Sequence, residues 1–226
     1  MNKDSRTDIL IGNDNIKKIS NINVLLVGIG GVGGSCLEML IRSGINNITI
    51  IDYDIFEESN LNRQILSLNN NIGKSKVEVA KERILSINPE CNITIYNKKL
   101  DNNLLNKLNS NYDYIIDAID DIKAKILLIK YAINNNIKII SSMGTGNRLD
   151  PSKLYITNIW KTENDPLAKK LRSELRKENI KYKLPVVTSK EVPVIKTNGP
   201  IGSMAMVPNT AGILLASFVI NDIIEK

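Results

Sequence analysis

An apolar strand that leads directly into a glycine-rich loop constrains this chain more than any other feature. Residues 24–27 are apolar, as is typical of a buried parallel strand. They continue at once into Gly28-Ile29-Gly30-Gly31-Val32-Gly33, a G-x-G-x-x-G pattern, and then into a helical segment at 33–42. Such glycines permit a sharp turn, approach of backbone N–H groups to a phosphate or ribose, and close packing of the next helix. The context predicts a nucleotide-binding loop; glycines that serve only the turn and the helix packing are the alternative.

An acidic residue supports the nucleotide interpretation. Residues 48–51 form a second predicted strand, and Asp52 follows it. In nucleotide-binding folds, a carboxylate about 20 residues beyond the glycines accepts a hydrogen bond from a ribose hydroxyl. The pattern therefore predicts an adenosine site, and up to this point it does not distinguish NAD from ATP.

The next polar segment favours ATP. Asp54, Asn60, Arg63 and Gln64 follow the ribose acid, and Lys74 comes just before a predicted helix at 75–86. A dehydrogenase has no need of these cations, whereas an enzyme that splits ATP stabilises the charge that builds up as pyrophosphate leaves. The alternative for Arg63 and Lys74 is an ordinary solvated surface, because the chain has 30 Lys and Arg residues.

A third predicted strand, residues 114–116, ends in a run of carboxylates. Asp120 in this run is the predicted Mg²⁺ ligand, because carboxylates just past a strand end lie on the ligand side of an open α/β sheet. The alternative is an N-cap for the helix predicted at 122–134, and the two roles can fall to different members of the Asp120-Asp121 pair.

The residue types that are missing exclude several chemistries. The chain has no histidine, which excludes histidine acid–base catalysis and a Ser-His nucleophile. Its two cysteines, Cys36 and Cys91, form no C-x-x-C pair, so a tetrahedral cysteine-ligated zinc site is not expected. Both cysteines are predicted to be small packing residues and not nucleophiles.

The motif order glycine loop, D-x-D, N-x-N-R-Q, G-x-K and D-x-x-D resembles the adenylating superfamily of ubiquitin-activating enzymes and the ThiF and MoeB activators of sulfur carriers. The resemblance implies that Asp52 holds the ribose, that Asn60, Arg63 and Lys74 hold phosphates, and that Asp120 coordinates Mg²⁺. It also implies a homodimer in which Arg6 reaches the phosphates of the neighbouring subunit; a disordered N-terminal charge is the alternative for Arg6. The implied catalytic residues are Arg63, Lys74, Asp120 and Arg6, and the implied ATP site comprises Gly28, Gly30, Gly31, Gly33, Asp52, Asp54, Asn60, Arg63, Gln64, Lys74 and Asp120.

Further segments, spread nearly from end to end, resemble the tRNA threonylcarbamoyladenosine dehydratases. They are residues 87–91, Lys125, residues 144–151, residues 165–172 and residues 189–191. This resemblance implies ATP-dependent dehydration of N6-threonylcarbamoyladenosine in tRNA to its cyclic form, through adenylation of the carboxylate. It implies ATP and Mg²⁺ as cofactors, and it leaves open a monovalent cation, K⁺ or Na⁺, and cysteine desulfurase or sulfur-acceptor partners.

Three other functions remain open from the sequence. The first is adenylation of the C-terminal glycine of a ubiquitin-like sulfur-carrier protein. The second is an oxidoreductase that shares the glycine loop, and the third is a binding module that holds ATP without turnover.

Alternating strand and helix patterns predict an α/β fold. We expect a Rossmann-like, mostly parallel sheet with helices on both faces, and a smaller C-terminal part with antiparallel strands. Residues 1–150 are the predicted ATP-binding core, and residues 151–226 are a substrate lobe and C-terminal helix of the same continuous domain. The predicted strands lie near 24–27, 48–51, 93–96, 114–116 and 137–140, and the predicted helices near 33–42, 75–86, 102–108 and 122–134.

Charge and hydropathy bear on partners and location. A formal charge of +6 suits an RNA partner, and the basic stretch 169–177 either faces tRNA or is a solvated helix face. The apolar segment 210–224 is shorter than the ~20 residues that span a bilayer, so we expect a buried or dimer-interface helix and no stable membrane insertion. Without an evident signal peptide or cysteine pair, the chain is expected in the cytoplasm.

Overall fold

A computed structural model describes residues 3–108, 111–194 and 201–224. Its described strands form one seven-stranded sheet in the order β3-β2-β1-β4-β5-β7-β6. All neighbouring strands are parallel except β6 and β7, which are antiparallel. The strands are β1 (Asn23–Val27), β2 (Asn47–Asp52), β3 (Asn92–Asn97), β4 (Tyr114–Asp117), β5 (Lys138–Ser142), β6 (Leu154–Asn158) and β7 (Pro185–Ser189).

Helices cover both faces of the sheet, as the sequence predicts. Successive residues of β1 point to opposite faces: Val24 and Leu26 pack in one hydrophobic cluster, and Leu25 and Val27 pack in another. The first cluster contains residues of α2, α3, α4 and α8, and the second those of α5, α6 and α7. The helices are α1 (Ser5–Ile11), α2 (Asn13–Asn21), α3 (Gly31–Arg42), α4 (Lys76–Ile87), α5 (Asn102–Leu105), α6 (Ile122–Asn134), α7 (Pro166–Lys177) and α8 (Met206–Ile224).

The strand order places a topological switch point between β1 and β4. From β1 the chain moves outward through β2 to β3, and it then returns to the other side of β1 to form β4. Crevices outside the carboxyl ends of the strands at such a point bind ligands in open α/β folds. The loops that follow β1, β2 and β4 are those in which the sequence analysis places the nucleotide-binding residues.

The C-terminal third supplies the expected antiparallel strands, but they extend the main sheet. β7 pairs with β5 in parallel, and β6 closes the sheet edge antiparallel to β7. β7 ends at Ser189. Residues 195–200 lie outside the described residues.

α8 is the long apolar C-terminal helix. It packs against α3 so closely that a Cβ atom on Gly212 would lie 2.2 Å from the Val32 carbonyl oxygen. Among the described helices, α8 alone is long and apolar enough to cross a membrane by length and composition, a test that core helices of globular proteins also pass. Its contact with α3 accounts for the apolar residues that face the core.

Candidate active site

A cavity of about 1170 Å³ lies at the carboxyl edge of the sheet. Its walls are the loops that follow β1, β2, β3, β4 and β5, together with residues 201–203 and Leu167 of α7. Binding pockets for small molecules are commonly ~300–1,000 Å³, so this cavity has room for a nucleotide and part of a second substrate.

The glycine loop lies close to the strand beside it. Gly28 has a positive φ of +91°, and a Cβ atom there would lie 2.7 Å from the Ala118 carbonyl oxygen. A Cβ atom on Gly33 would lie 1.8 Å from the carbonyl oxygen of Gly28, so α3 can begin this close to the loop only with glycine. Gly30 and Gly31 line the cavity, and an added Cβ on Gly30 would meet nothing closer than 4.0 Å. The loop therefore presents its backbone to a ligand, as a phosphate or ribose site requires.

Asp52 connects the glycine loop to the loop after β2. Its Oδ2 accepts a hydrogen bond from the Ile29 N–H at 2.5 Å, and its Oδ1 accepts one from the Asp54 N–H at 2.9 Å. The side chain is buried and still lines the cavity. A carboxylate can accept about four hydrogen bonds, so Asp52 retains capacity for a ribose hydroxyl.

The structure brings Lys76, and not Lys74, to the cavity. Lys76 is only 6% exposed, it lines the cavity, and its Nζ lies 3.0 Å from Oδ2 of Asp54. Lys74 is exposed and lies outside the cavity wall. The predicted phosphate-binding role of Lys74 stays a prediction, and the structure adds Lys76 as a candidate, because the backbone around Gly73 pairs with the loop after β2 and places the first residue of α4 beside Asp54. Two lysines follow Gly73, and the motif alone does not say which of them faces the ligand.

The N-x-N-R-Q segment also lines the cavity. Asn60 is buried, and its Oδ1 accepts a hydrogen bond from the Glu57 N–H at 3.3 Å. Arg63 donates from Nη1 to the Ser59 carbonyl oxygen at 2.7 Å, which orients its guanidinium at the cavity wall. Gln64 has a buried Oε1 that accepts no hydrogen bond from any described residue. Because buried polar atoms normally have partners, this atom fits a site that a ligand or water completes.

The two neighbouring aspartates after β4 have different surroundings. Asp121 accepts a hydrogen bond from the Ala124 N–H at 2.8 Å and caps α6. Asp120 is exposed, lines the cavity and has no hydrogen bond or ion pair with any described residue. Among those residues there is no group of three or more potential metal-binding side chains. One carboxylate that shares the ion with phosphate oxygens is a usual arrangement for Mg²⁺, and Asp120 fits it.

A fully buried ion pair lies behind the cavity. Lys125 donates from Nζ to Asp117 at 2.9 Å, to Ser141 Oγ at 2.9 Å and to the Ser142 carbonyl oxygen at 2.9 Å. Both charged side chains have 0% exposure. This network fixes the ends of β4 and β5 relative to each other, and Asp117 also accepts from the Ile119 N–H at 3.1 Å. Sequence reasoning noted Lys125 only as part of a resemblance and did not foresee this role.

A second buried network holds the loop after β5, which forms the far wall of the cavity. Asp165 accepts hydrogen bonds from the Gly144 N–H at 3.1 Å and from Thr188 Oγ1 at 2.9 Å. The Arg148 guanidinium lies 3.6 Å from Asp165 and donates to the Ser189 carbonyl oxygen at 3.1 Å. These contacts join residues far apart in sequence, so no local sequence pattern predicts them.

Residues 201–203 cross one side of the cavity. Asn147, which has a positive φ of 55°, donates its N–H to the Gly202 carbonyl oxygen at 2.7 Å and accepts from the Gly202 N–H at 2.8 Å. Asn62 donates from Nδ2 to the Ser203 carbonyl oxygen at 2.9 Å. The crossing segment is thus attached at both sides of the cavity.

The remaining predicted residues lie away from the cavity. Arg6 is on the exposed surface of α1 and is not part of the cavity wall of this chain, so its role toward a neighbouring subunit stays a prediction. Cys36 and Cys91 are free and buried. Burial raises the pKa of Cys36 strongly, and it raises the pKa of Cys91 to about 11. Neither thiol lines the cavity, which agrees with a packing role.

A glycine loop, a ribose-type acid, two cations and an exposed carboxylate thus meet at the carboxyl edge of a Rossmann-like sheet, which defines a nucleotide-binding α/β protein. Residues 5–220 match the ThiF family. The chain therefore belongs to the ThiF family.

Relatives within this family are similar over almost the whole chain. The tRNA threonylcarbamoyladenosine dehydratase of Bacillus subtilis is 35% identical over 98% of this chain and 94% of its own length. The crystal structure of Escherichia coli tRNA N6-threonylcarbamoyladenosine dehydratase in complex with AMP matches with a TM-score of 0.92 and 35% identity, over 98% of this chain and 93% of that one. The corresponding complex with ATP matches with a TM-score of 0.91 and 34% identity, over 99% and 94% of the two chains.

Proposed function

We propose that this protein is an ATP-dependent tRNA threonylcarbamoyladenosine dehydratase that forms AMP and pyrophosphate. The observation that carries the proposal is the TM-score of 0.92 to the E. coli dehydratase over 98% of the chain, combined with a cavity that presents nucleotide-binding groups. The substrate is tRNA with threonylcarbamoyladenosine next to the anticodon, and the product is the cyclic form of that nucleoside, one water lighter.

The cavity residues divide the work of holding ATP. Asp52 accepts a ribose hydroxyl, and the backbone of the glycine loop approaches the sugar and phosphates. Lys76 and Arg63 stabilise the negative charge that develops as pyrophosphate leaves, since preorganised cations act most strongly where charge builds up. Asp120 would hold Mg²⁺, which would neutralise phosphate charge there.

The substrate supplies its own nucleophile. Transfer of AMP to the threonyl carboxylate forms an acyl adenylate and releases pyrophosphate. An atom of the neighbouring ureido group then attacks the acyl carbon, AMP departs, and a five-membered ring closes. Because nucleophile and electrophile belong to one nucleoside, proximity replaces a protein nucleophile. The buried cysteines, whose pKa values are raised, agree with this absence of a protein thiol from the reaction.

The second candidate is adenylation of the C-terminal glycine of a sulfur-carrier protein. The glycine loop and the cations would serve that reaction equally well. The chain lacks a C-x-x-C pair, and it resembles the dehydratases over 98% of its length, so the tRNA substrate is favoured. A purified carrier with a free glycine tail that stimulates exchange of labelled pyrophosphate into ATP would favour the second candidate.

Assembly and location are further parts of the proposal. The protein acts as a homodimer in the cytoplasm, and Arg6 of each subunit reaches the phosphates bound by the other. The exposed position of Arg6 on α1 is compatible with such a contact, and gel filtration that shows only monomer would count against it. We also propose that the protein does not insert stably into a membrane and that a monovalent cation, K⁺ or Na⁺, assists the enzyme. The proposed sulfur partner is a cysteine desulfurase or a sulfur acceptor.

The direct test measures the mass of the modified nucleoside. The protein is incubated with ATP, Mg²⁺ and tRNA that carries threonylcarbamoyladenosine, and the tRNA is then digested gently. We expect loss of one water that requires ATP, that disappears in Arg63→Ala and that persists in Arg42→Ala, an arginine of α3 outside the cavity wall. An unchanged nucleoside mass in the presence of bound ATP, or release of phosphate in place of pyrophosphate, would contradict the proposal.

A further inference from the structure

The basic residues of α7 divide into two groups according to their contacts. Three cations in the second half of the helix are engaged with a carbonyl oxygen, an indole ring and a carboxylate. Lys169 and Lys170, in the first half, are exposed and have no hydrogen bond or ion pair with any residue that the structure describes. The engaged cations are Arg172, 3.1 Å from the Thr162 carbonyl oxygen, Arg176, 5.5 Å from the centroid of Trp160, and Lys177, 2.7 Å from Glu174.

One of the two unengaged lysines, Lys170, lies on the helix face that reaches the cavity, and Lys169 is its neighbour along the chain. Leu167, in the first turn of α7, is part of the cavity wall, and Lys170 is three residues further along the same face of the helix. Asp165 caps α7 through the Ala168 N–H at 3.0 Å, and it also accepts from the Gly144 N–H in the cavity wall. One buried carboxylate therefore connects the start of the helix to the cavity, and the position of the lysines relative to the cavity is fixed.

The cavity has two ends, and α7 lies at the end away from the ribose acid. Asp52 and residues 98–100 line one end, beyond β2 and β3. Residues 144–146, residues 201–203 and Leu167 line the other end, beyond β5. A nucleotide that contacts Asp52 and the glycine loop fills the first end, so a second substrate enters at the end where α7 lies.

We infer that Lys169 and Lys170 form a docking surface for the phosphate backbone of RNA, which guides the modified nucleoside into the β5 end of the cavity. The inference rests on the proposed function for the identity of the RNA as tRNA. Exposed ammonium groups without protein partners are the groups that release counterions from a polyanion, and the chain carries a formal charge of +6. Arg172, Arg176 and Lys177 already contact other groups of the protein, so they are less available to bind an RNA phosphate.

The test compares matched pairs of lysines. Lys169→Ala/Lys170→Ala removes the docking charges, and the exposed helix positions accept alanine without loss of helix propensity. Lys17→Ala/Lys18→Ala removes an adjacent, exposed pair on α2, outside the cavity wall, as a control. Lys98→Ala/Lys99→Ala removes the exposed pair at the other end of the cavity. The Kd for labelled tRNA is measured at several salt concentrations, and melting temperatures check the fold.

Each phosphate contact on single-stranded RNA contributes about 0.7 to the slope of log K against log salt, so loss of two contacts lowers the slope by about 1.4. Relative to 1 M salt, where the two proteins should bind alike, the α7 double variant is expected to bind tRNA about 25-fold more weakly at 0.1 M salt. The α2 variant is expected to bind normally, and Lys169→Arg/Lys170→Arg is expected to retain affinity. With active enzyme, KM for tRNA should rise while kcat at saturating tRNA stays unchanged.

Three results would overturn the inference. They are absence of tRNA binding by the unaltered protein, an α7 variant with unchanged affinity and salt slope, and a larger loss in the Lys98/Lys99 variant than in the α7 variant. The binding measurement does not depend on catalysis. If tRNA binds through α7 but is not dehydrated, the docking surface stands and the proposed function fails.

Discussion

Replacement of Lys76 or Lys74 by methionine tests which of the two lysines acts on ATP. Lys76 lines the cavity, whereas Lys74 is the lysine that the sequence motif suggests. Lys76→Met keeps a flexible side chain of similar length and removes the charge beside Asp54. Lys74→Met is the matched control, because Lys74 is two residues away, is exposed and lies outside the cavity wall. We expect Lys76→Met to lose adenylation and Lys74→Met to retain it.

The expected size of the effect follows from the surroundings of Lys76. Lys76 as a residue is only 6% exposed, so the attraction of its ammonium to phosphate is screened less than that of a surface lysine. At an effective dielectric constant of about 20, unit charges ~4 Å apart attract by about 4 kcal/mol. Loss of one preorganised electrostatic contact to a developing charge commonly lowers kcat by ~10²–10³. We expect Lys76→Met to fall in this range.

The fold should survive the substitution. The Asp54 side chain is 49% exposed, so the carboxylate that loses its partner remains solvated. Loss of such a partly exposed pair costs about 0–1 kcal/mol of unfolding free energy. The assays are ATP-dependent loss of water from the nucleoside and urea denaturation. A Lys76→Met protein with near-normal turnover, or a Lys74→Met protein impaired to the same degree, would refute the reasoning.

Three further substitutions test other parts of the structure. Gly33→Ala places a Cβ atom 1.8 Å from a carbonyl oxygen of the glycine loop, so we expect a loss of roughly 1–3 kcal/mol in urea denaturation and weaker ATP binding by calorimetry. Lys125→Met leaves Asp117 buried without its cation and should cost about 3–5 kcal/mol; a loss below ~1 kcal/mol would contradict the buried ion pair. The hydrogen bond from Arg83 lowers the pKa of Glu38; burial opposes this shift, and Arg42 adds to it. The stability that the lowered pKa adds is therefore present above the pKa of the unfolded state and is lost as pH falls through the lower folded value. The melting temperature of Glu38→Gln should therefore lie below that of the unaltered protein at pH 7, and the two should converge in acid.

The sheet was predictable because its signals are local. Each central strand is a short apolar run, and a helix follows each of β1, β2, β3 and β4, so the alternating order implies parallel pairing and helices on both faces. Residues at or just past a strand end, such as Asp52 and Asp120, could be assigned to the ligand edge for the same reason. Prediction was less secure for Lys74, because two lysines follow Gly73 and only the pairing of this segment with the loop after β2 selects Lys76.

The networks behind the cavity could not be predicted from local pattern. Arg148 contacts Ser189, which is 41 residues away along the chain, and Asp165 contacts Thr188, which is 23 residues away. The antiparallel strand β6 likewise joins the main sheet only because β7 lies beside β5. A sequence interpreted segment by segment shows the basic helix and the strands, but not that Asp165 connects that helix to the cavity wall.

The placement of charges suggests how one site can both hold its shape and respond to ATP. The fully buried pair Lys125 and Asp117 has its hydrogen bonds satisfied within the protein and fixes the strand ends. Asp120 and Arg63, in contrast, face the cavity, and Asp120 is exposed. An exposed charge remains hydrated until a ligand binds, so the free energy of its desolvation is small in the free protein, and its side chain can reorient toward phosphate. A buried pair, in contrast, resists displacement. The rigid network thus lies behind the groups that must change partners as pyrophosphate leaves.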